Sequence, residues 1–431
     1  MIFFYGIMLG VVIAMKITKQ KGTRDIYFED AKIWGYIEEN IRKICANHNV
    51  SEIRTPVFEA TELYARGVGD DTDIVNKEMY TFLDKGGRSI TLRPELTAGV
   101  VRSYIENGMS SEASPLKFWY TANMYRYEKM QKGRFREFAQ FGVEIFGSES
   151  YLADIETMLI SYEFFKSIGL MDKLILSINS IGCRECRKKY LETLKDYIRP
   201  NLDSMCEDCK RRFENNPMRL LDCKEEKCKA ILKNAPIIID YLCDDCKKDF
   251  DSVKKALDKL KIEYEVDTSI VRGLDYYNKT VYEWTSKDLG LAVGGGGRYD
   301  SLVEVLGGSY TPAVGFGIGM DRVVMLLKDY NLVDGKFRDV DFYIATLDEK
   351  IDNRVYEIIN SLRDKGYIVD NNITSRNFKN QLKYADKIKA KYVMIIGENE
   401  LNKNICQIKN MQKGTQKECE LSIDSILDNL E

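Results

Sequence analysis

The segment 125-YRYEKMQKGRFREFAQFGVEIFG-147 decides the architecture, because a basic turn runs straight into a stretch of alternating character. Read as a strand over 138–146, that stretch puts Ala139, Phe141, Val143 and Ile145 on one apolar face. Phe138, Gln140, Gly142, Glu144 and Phe146 fall on the other. A half-buried carboxylate is costly unless it meets a donor, and either an internal arginine or a ligand bearing N–H groups would satisfy Glu144. Upstream, Arg126, Lys132, Arg134 and Arg136 surround a tight turn. A lone charge run is ordinarily a solvated face. Here it joins two strands with a polar inner face, which favours an anionic ligand along the hairpin, since the arginine fork suits phosphate oxygens and its plane suits a base.

Working outward, residues 50–147 alternate strand and turn signals with one helix from Thr97 to Asn107, and strand signals return in 261–285 and 291–300. Neighbouring strands with helices to one side predict an α+β domain with a mainly antiparallel sheet. Three further segments repeat the polar theme. In TLRPELTA, Arg93, Glu95 and Thr97 alternate onto one face. VRGLDYYNKTVYEW sets Arg272, Asp275, Tyr276 and Tyr277 within a strand pattern, and GGGGRYD over 294–300 marks a close approach of backbone to something else. In AVGFGIGMDRVVMLL, Arg322 lies in the first turns of a helix, suited to a terminal phosphate. The pattern is neither a Walker loop nor a dinucleotide fingerprint, as no GK[ST] and no GxGxxG with a βαβ unit occurs there. Three arginines (Arg126, Arg272, Arg322) and two carboxylates (Glu95, Glu144) on one sheet fit a nucleoside triphosphate beside a small amine-bearing substrate.

At 431 residues the chain calls for two or three domains. Its net charge of −3 means that an RNA partner would be met by local basic patches only. A single histidine, His48, near the end of an amphipathic helix carrying Ile33, Ile37, Ile41 and Ile44, excludes histidine-based triads elsewhere and reads as a capping or surface residue. Residues 1–14 form an apolar extension, shorter than the roughly 20 residues that span a bilayer. A membrane anchor is a weaker reading than an appended start, and the extension is set aside. Eleven cysteines without an export signal indicate a reducing, cytoplasmic location. Eight of them fall within a mainly helical stretch at 183–262. Cys206, Cys209, Cys223 and Cys228 are one candidate zinc set, and Cys183, Cys186, Cys243 and Cys246 a second. Irregular spacing and flanking acids favour reduced thiols instead. From about residue 338 the order strand, helix, strand, helix, strand indicates a separate small α/β domain.

Taken in order, KGTRD, IRTPVFE, TDIVNKEMYTF, LRPELTA, YRYEKMQKGRFREF, NSIGC, VRGLDYY, GGGGRYD, GFGIGMDR, RNFKNQLKYADK and VMIIGENEL resemble the histidyl-tRNA synthetases of class II, over nearly everything after Met15. The resemblance implies a class II catalytic core over 15–182 and 263–332, a helical Cys-rich insertion over 183–262, and an anticodon-binding α/β domain over 338–431. It implies that Glu95, Thr97 and Gln140 hold the ammonium of histidine, and that Glu144 and Tyr277, beside Tyr276, meet the imidazole. Such a pocket discriminates well, because an analogue without ring N–H leaves buried polar groups unpaired. For ATP, which enters as substrate with Mg2+, it implies Arg126 at the α-phosphate, Glu128 at the adenine, Arg134 and Phe135 at the purine or tail phosphates, and Arg322 at the γ-phosphate. Arg272 is implied at the site of attack on the α-phosphorus. The implied partners are L-histidine, tRNA(His) and a second copy of the chain, joined near Pro56, with no stable membrane partner. Lys379, Lys383, Lys387 and Lys389 offer a local basic face to the anticodon. Met130 and Ala139 stand where the family often has Pro and His, and neither carries adenylation chemistry.

The rival reading is a non-catalytic, histidine-sensing paralogue of the kind that regulates ATP phosphoribosyltransferase. Such paralogues usually lack the anticodon-type domain and the ATP-contacting arginines, both of which this sequence retains.

Overall fold

The computed structural model describes residues 17–430 apart from 70, 71, 73, 222, 348–352 and 375. The segment 1–14 and any anchoring role for it lie outside the described residues. The chain divides into two units, 1–332 and 333–431.

In the first unit eight strands form one sheet in the order Ser51–Glu52, Leu116–Tyr125, Glu137–Phe146, Ala313–Gly319, Ala292–Arg298, Asn278–Ser286, Leu174–Ser180 and Tyr264–Val266. Only the two outermost pairings are parallel. The five between them are antiparallel, as the alternating segments predict. The opening segment supplies the long central hairpin. Leu116–Tyr125 pairs with Glu137–Phe146 from Leu116 opposite Phe146 to Tyr125 opposite Glu137. Its tip is an eleven-residue loop in which Gln131 and Arg134 bridge across Gly133.

Both faces of the Glu137–Phe146 strand are covered, but differently. On the Phe141 face the helix Tyr151–Ser167 packs closely, with the Phe141 ring 5.2 Å from Phe164 of the helix and 5.3 Å from Phe316 of the neighbouring strand. On the other face the helix Thr97–Glu106 covers only the Phe146 end, where Tyr104 stacks on Phe146 at 4.8 Å. The Gln140 end is therefore left open, and a cavity forms there. The helix Glu29–Asn47 buries Ile33, Ile37, Ile41 and Ile44 as their spacing predicts, and His48 forms its C-cap.

Two readings of the sequence are corrected. VRGLDYY is not part of a strand: pairing stops at Val266 and resumes at Asn278, so Arg272 to Tyr277 form a loop. Arg272 has φ +56°, which no strand accommodates. In TLRPELTA the alternation ends with the strand Ser89–Leu92. Arg93 turns away, its Nε donating to Asn123 O at 2.7 Å and Nη1 to Thr55 O at 3.0 Å, while Thr97 opens a helix.

Between Leu174–Ser180 and Tyr264–Val266 lie the helices Arg184–Ile198, Glu207–Asn215, Glu226–Leu232 and Asp244–Leu260. They enclose their own core around Tyr190, Leu194, Ile198, Phe213 and Leu220. In the second unit the strands run Val369–Asn371, Phe342–Thr346, Tyr392–Ile396, Ile405–Asn410 and Gln416–Glu420. The first three are parallel, in keeping with the alternating order of strand and helix, and the last two add an antiparallel hairpin that the reading missed. Among the described residues no helix is long and apolar enough to cross a membrane.

Arg298, the arginine of GGGGRYD, ties the sheet to the helix Tyr151–Ser167. It is 2% exposed, donates to Asp154 Oδ2 at 2.5 Å, and donates to the backbone carbonyls of Ser148 and Ser150 at 2.7 Å. A buried charge stripped of its partner costs about 3–5 kcal/mol. Arg298→Leu, which strands Asp154 and leaves Asp300 to Lys279 at 3.4 Å, is therefore expected to lower the urea midpoint of the first unit by an amount corresponding to that loss. A shift worth less than about 1 kcal/mol would show the cluster to be peripheral to stability.

Candidate active site

Over the open end of the sheet lies a cavity of about 250 Å³. Glu95, Thr97, Arg126, Glu128, Arg134, Phe135, Gln140, Arg272, Tyr276, Tyr277 and Arg322 all line it. Glu144, the remaining expected site residue, lies one layer deeper and bonds to residues of the lining. His48 lies elsewhere, its ring nitrogens facing Glu156 and Glu163 at 3.3 and 3.0 Å.

Glu144 is 1% exposed and has no arginine partner among the described residues. Three hydroxyls serve it instead. Thr97 Oγ1 donates to Oε1 at 2.8 Å, Tyr120 donates to the same oxygen at 3.2 Å, and Tyr299 donates to Oε2. Burial pushes its carboxyl up to about 8, against the lowering effect of the Tyr299 and Thr97 hydrogen bonds, and nearby Glu95 adds to the rise. Glu95 accepts from Thr97 N at 2.8 Å and Ala98 N at 3.0 Å, so it also caps the helix that covers the far end of the sheet. Tyr276 and Tyr277 stand with Tyr299 as an aromatic wall, ring centroids 4.6 to 6.4 Å apart.

The arginines occupy the rest of the cavity. Arg272 Nη1 donates to Glu283, its Nε is buried without a partner, and its guanidinium lies 5.8 Å from the Tyr277 ring. Arg126 is oriented by donating to Pro94 O at 2.7 Å and lies over Phe138 at 5.2 Å. Arg322 donates to Ala292 O, and burial followed by repulsion from Arg134 lowers its pKa. An anion between Arg322 and Arg134 would relieve that repulsion. Glu128 lies 3.7 Å from Arg126 and 3.2 Å from Arg134.

Glycines make room for these groups. A Cβ on Gly315 would collide with the Glu144 carboxylate, and one on Gly295 would come within 2.8 Å of Arg272 Nη1. Sequence reasoning missed Tyr120, Tyr299 and Glu283. Tyr299 lies inside GGGGRYD and so left a signal, whereas Glu283 fits the period-two alternation between Tyr282 and Trp284 as an ordinary polar position. Tyr120 becomes visible only through the register that sets it opposite Gly142.

The folded Glu144 carboxyl holds a proton that the unfolded chain, with an ordinary pKa near 4.3, has lost. The unfolded state thus binds fewer protons between about pH 4.5 and 8, and stability falls as pH rises through that window. Glu144→Gln is expected to flatten this part of the stability–pH curve, gaining on the parent chain from pH 5 to 8 in denaturant titrations. Parallel curves for the two proteins would sink the assignment.

The sequence model of the family described as Histidyl-tRNA synthetase matches residues 22–323, and that of the Anticodon binding domain matches 341–431. The chain is 48% identical to a histidine–tRNA ligase of Acetivibrio thermocellus over 95% of its own length and 98% of the relative. It is 48% identical to one of Clostridium novyi, covering 95% and 97%. The crystal structure of the apo histidyl-tRNA synthetase of S. aureus superposes with a TM-score of 0.80 at 37% identity, covering 96% of this chain and 99% of that one. A Bacillus halodurans structure titled as an ATP phosphoribosyltransferase regulatory subunit/histidyl-tRNA synthetase shares the fold, with a TM-score of 0.63 at 22% identity. Near-complete coverage by ligases at 48% identity and a matched anticodon-binding domain do not favour the regulatory paralogue. With a cavity built from the residues its motifs single out, the chain belongs to the histidyl-tRNA synthetase family.

Proposed function

We propose that the cavity is where histidine and ATP meet, within a chain that is by family a histidine–tRNA ligase. The observation that carries this reading is the buried carboxyl of Glu144 beneath the same cavity that Arg126, Arg272 and Arg322 line. Glu95, Thr97 and Gln140 receive the ammonium of histidine, and Glu144 with Tyr277 receives the two ring nitrogens. Tyr276 closes the wall behind them. Arg126 takes the α-phosphate, Arg322 the γ-phosphate, and Glu128, Arg134 and Phe135 the adenine and the tail.

The substrate carboxylate is the nucleophile, so no side chain need form a covalent intermediate. Its oxygen attacks the α-phosphorus, pyrophosphate departs, and histidyl-adenylate remains. Arg272, held by Glu283 with its Nε unengaged, stabilises the charge that grows on the phosphorus oxygens during attack. The terminal ribose hydroxyl of tRNA(His) then attacks the acyl carbon and releases AMP. Mg2+, arriving on the ATP phosphates, would screen their charge, and Glu128 and Glu283, two of the four acids in the lining, would meet it.

The second unit, matched by the anticodon-binding family, reads the tRNA, with Lys379, Lys383, Lys387 and Lys389 as its basic face. A homodimer is supported by the apolar side chains near Pro56 that one chain leaves exposed, Val57, Phe58, Phe82 and Leu83. Cytoplasmic residence is supported by the work proposed and by cysteines that are joined in no disulfide among the described residues.

Histidine-dependent ATP–pyrophosphate exchange tests the reading. Removing one donor to a developing oxyanion costs about 10²–10³ in kcat, so Arg272→Ala is expected to lose at least that in exchange while still binding histidine. Histidine binding without exchange in the parent chain would overturn the adenylation reading in favour of a sensor.

A further inference from the structure

Among the described residues, Cys183, Cys186, Cys243 and Cys246 converge so that their sulfurs lie within 4.8 Å of one another, and Cys206, Cys209, Cys223 and Cys228 do the same. We propose that each quartet holds a structural zinc ion, and that the two ions fasten the insertion onto the loop that carries Arg272 and Tyr277.

The sulfur geometry is the first argument. Four thiolates around Zn2+ at about 2.3 Å occupy a tetrahedron with edges of about 3.8 Å. Cys183 lies 3.5 Å from Cys186 and 4.0 Å from Cys243, and Cys206 lies 3.8 Å from Cys223. None of these cysteines is joined in a disulfide.

Backbone surroundings are the second. Cys183, Cys206 and Cys243 are the N-caps of the helices Arg184–Ile198, Glu207–Asn215 and Asp244–Leu260, with Cys186, Cys209 and Cys246 in the first turns. Helix N-termini favour thiolate over thiol. Cys243 N donates to Cys186 Sγ at 3.1 Å and Cys206 N to Cys228 Sγ at 3.3 Å, the backbone support that ligand sulfurs receive. Three of the acids that flank the second quartet are engaged elsewhere. Glu207, Asp208 and Glu226 pair with Lys210, Arg211 and Lys229 at 2.8 to 2.9 Å.

The link to the loop is direct. Arg187, one residue after Cys186, donates to Tyr277 O at 3.2 Å. Arg219, four residues before Cys223, donates to Asp275 Oδ1 at 3.1 Å and to Gly273 O, and Asn216 donates to Asp275 Oδ1 at 2.8 Å. Each clasp thus hangs from a segment that a quartet anchors. Metal binding of this kind contributes to folding the segment that binds it.

The full chain, expressed in zinc-replete medium and passed through chelator-free buffer, is expected to carry about two zinc ions by plasma mass spectrometry. Mercurial titration should release both. Cys206→Ser with Cys209→Ser should remove one, Cys183→Ser with Cys186→Ser the other, and Cys406→Ser with Cys419→Ser neither. Zinc removal should raise hydrogen exchange at residues 270–277 several-fold. A parent chain without zinc, with its eight insertion thiols open to reagent, would overturn the metal assignment, as would iron in its place. Unchanged exchange at 270–277 after zinc release would overturn the fastening of the loop. None of these readouts depends on the adenylation chemistry.

Discussion

Where the strands Ala292–Arg298 and Ala313–Gly319 pass beneath the cavity they present glycines, and the charged groups of the site rest in the space this frees. Gly315 admits the Glu144 carboxylate and Gly295 admits the Arg272 guanidinium, each at a separation where a methyl group would collide. Glycines in a strand forgo packing and raise the entropy lost on folding, so the sheet gives up stabilisation beneath the cavity. It is compensated close by. Arg298 follows the glycines directly, and its buried cluster with Asp154 and Asp300 clamps the same strand to the helix Tyr151–Ser167.

The site itself is held under tension. Glu144 is buried deeply enough to favour its protonated form, with three hydroxyls directed at it. Arg272 adopts a left-handed backbone conformation, which for a residue other than glycine costs about 1–3 kcal/mol. Both choices weaken the chain, one beneath the cavity and one in its lining. Arg93 presents the opposite case. Its hydrogen bonds all run to backbone carbonyls of the first unit, so it is a structural arginine within a motif whose glutamate and threonine face the cavity.

Much of this arrangement was legible in the chain. A period of two over 138–146 was enough to put Gln140 and Glu144 on one face, and helix starts were marked at Thr97 and near Gly319. Alternation does not record where a hydrogen-bonded ladder stops, which is why VRGLDYY and LRPELT read as strand although pairing had already ended. The hairpin Ile405–Asn410 with Gln416–Glu420 escaped notice because its inward positions, Cys406, Ile408 and Asn410, include a polar residue and its outward ones are not uniformly polar. The cysteine quartets could not be judged from spacing, since Cys183 and Cys243, the N-caps of two different helices, meet only in the folded chain. Residues far apart in sequence carry no local mark of their meeting.

The clasp between the insertion and the loop at 273–277 has a consequence for divergence. Arg187 and Arg219 grip carbonyl oxygens of Tyr277 and Gly273, groups that every amino acid possesses. Only the contacts to Asp275 depend on what side chain the loop presents. Selection can therefore change most of the loop's side chains without loosening its attachment, and the helices behind it can drift so long as two guanidiniums remain in place. Lineages could remodel either partner separately, each mutational path staying open while the other is conserved.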